Sequence, residues 1–130
     1  MPPEKQPAQV KFGRRYKAYA AETGVSYRYF FEVLRRVVRP DGQGVGRDYT
    51  FVVLPDQRPP FTLKIFISDR ALAAWCRIHG RELDASEQYA AAKMRLFRAF
   101  DAHERLVEER LNLVVDETNV EELLEPLDLA

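Results

Sequence analysis

Phe61-Thr62-Leu63-Lys64-Ile65-Phe66-Ile67-Ser68-Asp69-Arg70-Ala71-Leu72 decides the fold, because the hydrophobic period within it changes from that of a strand to that of a helix. Up to Ile67 the residues alternate. Phe61, Leu63, Ile65 and Ile67 fall on one side, and Thr62, Lys64 and Phe66 on the other. Ser68 then suits a helix N-cap and Asp69 a first helical turn. The spacing predicts a strand over 61–67 and a helix over 69–79, with Gly80 as its C-terminal stop.

Upstream, the pattern stays that of strands. Tyr49 to Leu54 is apolar on both parities, as in a strand inside a sheet. Val25 to Val38 is long and rich in β-branched and aromatic residues. The first strand covers about 11–21, joined to the second through Thr23-Gly24 as a two-residue turn. The glycine-rich run from Arg39 to Gly46 reads as a loop, and Pro55 to Pro60 as a turn.

Downstream, Asp84-Ala85-Ser86-Glu87 has capping-box spacing and opens a long helix over about 85–111. Its stripe is Tyr89, Ala92, Leu96, Phe100, His103 and Val107. Residues 111–115 read either as the helix end or as a fifth strand. Thr118-Asn119-Val120-Glu121 opens a short helix over 119–125. Strands followed by helices give an α+β class: an antiparallel meander of four, or five, strands with C-terminal helices on one face. Residues 1–9 are read as a flexible arm and 10–130 as one domain.

Composition limits the function classes. The chain has 130 residues, enough for a conventional core. A single cysteine, Cys76, excludes an internal disulfide and a multi-cysteine metal site. The polar, proline-rich start carries no secretory signal, and no stretch has the roughly 20 apolar residues that span a bilayer. The expected setting is the cytoplasm, without membrane contact. Zero net charge hides an asymmetry: residues 1–60 carry 11 cations against 6 carboxylates, and residues 61–130 carry 9 against 14. Such polarity serves either attraction within the fold or dimer, or a polyanion-binding face.

With a two-residue turn, the first hairpin sorts its residues onto two faces. Tyr16, Ala18, Ala20, Tyr27, Tyr29, Phe31 and Val33 form a core surface. Arg15, Lys17, Tyr19, Arg28, Phe30 and Glu32 form a second face that interleaves cations with rings. Single-stranded nucleic acid is held by this chemistry, cations on phosphates and rings on bases. The same set also reads as cation–π pairs and a cross-strand Arg15–Glu32 ion pair. A sequence pI of 6.7 argues against the nucleic-acid reading.

Other constellations are weaker. Arg35, Arg36, Arg39 and Arg47 flank Gly42, Gly44 and Gly46, but no phosphate-loop ending follows, so a hairpin loop is the better reading. Cys76 and His79 are helical neighbours, yet with Leu72 and Trp75 they follow a core stripe. His103 reads as a structural histidine on the long helix. Arg98–Asp101 and Asp101–Arg105 read as compensated pairs on a solvated face. Ten carboxylates lie between Asp101 and Ala130, punctuated by Leu123, Leu124, Leu127 and Leu129. This acidic segment either folds back on the basic sheet, the favoured reading, or docks on a partner.

The sequence therefore predicts a non-enzymatic interaction module, without cofactor, metal or catalytic residues. It binds a protein partner or a second copy through the charged, aromatic sheet face and the acidic segment. The candidate binding residues are Arg15, Lys17, Tyr19, Arg28, Phe30 and Arg36. The alternatives are a single-stranded nucleic-acid binder on the same face and a small-molecule binder with a pocket between sheet and helices.

Overall fold

A computed structural model describes residues 16–106 and 113–129. The arm assigned to residues 1–9 lies outside them, as do Arg15 and the start of the first predicted strand. Nine elements follow in order: β1 Lys17–Ala20, β2 Ser26–Arg39, β3 Gly44–Pro55, β4 Phe61–Ser68, α1 Asp69–His79, α2 Ala85–Ala102, β5 Leu113–Val115, α3 Val120–Leu124, and a 3-10 turn Glu125–Leu127. The sheet order is β1-β2-β3-β4-β5. The first four strands are an antiparallel meander, and β5 joins β4 in parallel, Phe66 opposite Val114. The class is α+β, with the helices following the strands.

Local chemistry explains the helix ends. Ser68 Oγ accepts the Ala71 N–H at 3.0 Å, and Gly80 closes α1 with φ 76°. Asp84 and Glu87 form the reciprocal capping box of α2. This helix stops at Ala102, where His103 is extended. His103 is thus an exposed residue beyond the helix and not part of its stripe; Val107 and the rest of the predicted extension lie outside the described residues.

Three boundaries move for physical reasons. The predicted loop over 39–46 shrinks, because Gly44 at φ 76° lets β3 begin early and pair with Arg39. The first hairpin turns through three residues, Glu22-Thr23-Gly24. The Ala21 N–H donates to the Val25 carbonyl at 2.9 Å, and Gly24 takes φ 93°. That one extra residue changes the register to Lys17↔Tyr29 and Tyr19↔Tyr27, exchanging the faces of the first strand. A bulge between Phe31 and Val33 then inverts the parity of β2.

The core lies between the sheet and α1, α2 and α3. Tyr27, Tyr29, Phe51, Val53, Leu63, Ile65 and Ile67 face Trp75, Leu96, Phe100 and Leu123, all at most 2% exposed. Tyr27 stacks on Phe100 at 4.1 Å between ring centres. No helix among the described residues is long and apolar enough to cross a membrane.

Candidate functional site

The face of the sheet turned away from the helices is built by the register just given. Arg28 opposes Leu54, Phe30 opposes Val52, Val33 opposes Thr50, Arg35 opposes Asp48 and Thr50 opposes Lys64. At its β1 end, Tyr16 sets its ring edge-on to Phe30, 5.0 Å between centres, and Arg28 places its guanidinium 5.4 Å from the centre of the Tyr16 ring. Tyr16 is 48% exposed. Beside this cluster a cavity of 710 Å³ opens over Ala18, Ala20, Arg28 and Leu54, walled by Asp56 to Pro59. Small side chains on β1 make the depression, and the turn after β3 makes the wall.

Charge on this face is mixed. Asp48 is partly buried, which raises its carboxyl above the ordinary value, while the charges of Lys64 and Arg39 pull it back down. Phe66, wholly buried, carries the Arg39 guanidinium 5.0 Å above its ring. Beside it, Gly46 leaves room for that ring.

Of the six predicted site residues, two share this face. Arg28 and Phe30 lie on it. Lys17 and Tyr19 lie on the helix side, since they oppose Tyr29 and Tyr27. Lys17 is near enough to Lys93 of α2 for its charge to lower the Lys93 pKa, after burial has done most of it. Tyr19 stacks on Phe97 at 4.4 Å and donates to Asp101 at 2.7 Å. Arg36 also faces the helices and pairs with Asp69 at 2.7 Å. Arg15 lies outside the described residues. The predicted core surface is corrected likewise: Tyr16, Ala18, Ala20 and Val33 are on the face turned away from the described helices, and of that set Tyr27, Tyr29 and Phe31 are inside. Sequence reasoning missed Tyr16; the signal that finds it is a three-residue hairpin loop.

The remaining constellations dissolve into structure. His79 stacks on Trp75 at 4.1 Å and its Nε2 lies 3.0 Å from both Glu121 oxygens. Cys76 instead lines a separate cleft with Leu72 and Leu83. Asp101 binds β1 rather than Arg98, whose partner is Glu122 at 3.4 Å. The described part of the acidic segment does not cover the basic sheet: it folds onto the helices through Val120, Leu123 and Leu124, all buried, with Glu117 held by Arg70 and Glu121 by His79. Among the described residues no group of three His, Cys, Asp or Glu side chains is arranged to hold a metal ion.

Compared with known proteins, the chain matches no family model, no curated protein and no solved structure.

Proposed function

We propose that this chain is a non-enzymatic interaction module that receives a protein partner on the face of its sheet turned away from the described helices, in a reducing, cytoplasmic setting. One observation carries the reading: the described helices all pack on one side, and the other side presents Tyr16, Phe30 and Arg28 as a cluster beside the 710 Å³ groove. Aromatic rings and arginine are the residue types that dominate protein interfaces. Within the acidic segment Leu123 and Leu124 are buried in the chain's own core, so its part in binding falls to its exposed carboxylates.

A photo-crosslinking amino acid at position 28 tests this in the native host, with position 102 on the exposed end of α2 as the control. A discrete adduct from position 28, absent from position 102 and lost with Tyr16→Ala, supports the proposal. Equal adducts at both positions overturn it. A protomer-sized adduct identifies the partner as a second copy.

The guanidinium lying over the Tyr16 ring specifically favours a second reading, single-stranded nucleic acid. Titration with oligo(dT) at low and moderate salt decides it, since phosphate contacts release counterions and make affinity salt-dependent. Salt-sensitive binding that falls with Arg28→Ala favours this reading over the protein partner.

A further inference from the structure

The outer edge of β1 carries backbone groups that the described chain does not pair. The Ala21 N–H donates to the Val25 carbonyl at 2.9 Å, so these two residues form a bonded pair. Bonded and unbonded pairs alternate along an antiparallel ladder. Tyr19–Tyr27 and Lys17–Tyr29 are therefore bonded, while Ala20–Ser26 and Ala18–Arg28 are not. Ser26 fixes the same phase independently: its carbonyl accepts from the Asp56 N–H at 2.9 Å and so points toward the end of β3, away from β1. Ala18 and Ala20 thus turn both their N–H and C=O groups outward. Neither finds a hydrogen-bond partner there among the described residues, and both residues are exposed.

The opposite edge of the sheet is built differently. In β5 the Val114 carbonyl accepts from Asn119 Nδ2 at 2.9 Å and from Arg95 Nε at 3.3 Å, so side chains seal that edge. An unsealed edge is a template for another strand, and proline, a bulge or an obstructing charge is the usual guard. β1 contains neither proline nor bulge, and its one charge, Lys17, lies on the helix side. The small side chains of Ala18 and Ala20 leave the approach of a second backbone clear.

We infer that the β1 edge pairs antiparallel with the β1 edge of a second copy, about a two-fold axis at Tyr19. That register sets Ala18 against Ala20 of the second copy, and the reverse, each pair exchanging both N–H to carbonyl bonds and joining the two sheets into one. Charge favours a second copy as the occupant. Lys17 comes opposite Ala21 of that copy and beside its Glu22, an acid, so no like charges meet across the pairing. A net charge of zero leaves no long-range repulsion between copies. The pairing uses backbone groups at the edge and not the aromatic cluster on the sheet face, so the two proposals fail separately.

Sedimentation equilibrium of the full chain is expected to show a dimer of the 15.1 kDa protomer that dissociates on dilution. Ala20→Pro deletes an outward N–H, at the kind of edge position where proline is tolerated. It is expected to weaken dimerisation by about tenfold or more, because the two-fold axis loses the bond twice. Ala20→Ser keeps the N–H and is expected to leave the dimer affinity within about threefold. Amide exchange followed by NMR needs no variant. The Ala18 and Ala20 N–H groups are expected to be protected at concentrations that form the dimer and to exchange freely on dilution. A chain that stays monomeric at about 1 mM overturns the inference. So does a dimer in which those two amides exchange freely, or one that Ala20→Pro, shown to be folded by its circular dichroism, leaves intact.

Discussion

Tyr19 donates its phenolic proton to Asp101 Oδ2 at 2.7 Å, joining β1 to the last turn of α2 across 82 residues of sequence. The other oxygen of Asp101 accepts the Glu22 N–H at 3.0 Å, so one carboxylate holds both the strand and its hairpin loop. Burial, and then the Asp101 hydrogen bond, push the Tyr19 hydroxyl up to about 12. Removing only the hydroxyl in Tyr19→Phe is expected to cost about 1 kcal/mol, the usual net value of one such bond. Tyr19→Ala also removes the stack on Phe97 and is expected to cost about 2–3 kcal/mol, less than a fully buried aromatic would. Urea denaturation measures both. Wild-type midpoints in the two variants would mean that the latch does not hold β1.

That contact also explains what the sequence could and could not disclose. Period, capping boxes and turn residues act locally, so β4, the start of α1 and the Asp84–Glu87 box are legible in a single chain. Register is different. Thr23-Gly24 suits a two-residue turn, and Glu22-Thr23-Gly24 with a left-handed glycine last suits a three-residue one, so the local sequence allows both, while the contacts that accompany the observed register, from Asp101 and Phe97, lie far away in sequence. The bulge at Glu32 is equally silent, because it serves the pairing of β2 with β3. Parity from a two-residue turn therefore groups residues that the true register divides between two faces, and it sends Tyr16 to the interior. The parallel entry of β5 was hidden for a third reason: three apolar residues fit a helix end as well as a strand.

Gly46 sits under the ring of Phe66. A Cβ there would meet the Ile67 carbonyl oxygen and would approach two ring atoms of Phe66 to 2.5 and 2.8 Å. The backbone oxygen cannot yield without breaking the pairing of β3 with β4. Gly46→Ala is therefore expected to destabilise by about 1–3 kcal/mol, as overpacking does. The check is a thermal melt. An unchanged or higher midpoint would show that Phe66 moves aside freely, and with it the Arg39 guanidinium above its ring.

Glu87 gives the fold an acid sensitivity. Its carboxylate accepts two bonds from Arg81, at 2.8 and 2.9 Å, and one from the Asp84 N–H at 3.0 Å. The Arg81 bonds first, and the Asp84 bond next, hold its pKa at about 2, below the ordinary 4.5. A pKa depressed in the folded state stabilises the protein above the unfolded value, and this contribution is lost as pH falls from about 4.5 to about 2. Glu87→Gln is expected to be less stable than wild type at neutral pH and to lose less stability through that window. Urea midpoints measured across it decide the matter. Parallel pH profiles for the two proteins would remove Glu87 as the sensor.

The acidic C-terminal segment is expected to behave as core, not as a tail. Leu123 is 2% exposed and lies with Val120 and Leu124 against the helices. Truncating it in Leu123→Ala is expected to cost about 2–5 kcal/mol, the range for a buried leucine. Glu122 in the same turn pairs with Arg98 at 3.4 Å, but the two side chains are 62% and 41% exposed. Solvent screens such a pair, so Glu122→Gln is expected to change stability by less than about 0.5 kcal/mol. Chemical denaturation of the two variants separates the roles. A segment whose purpose were to grip a partner by its leucines would show the reverse: a wild-type midpoint for Leu123→Ala, because those side chains would be waiting in solvent for a groove.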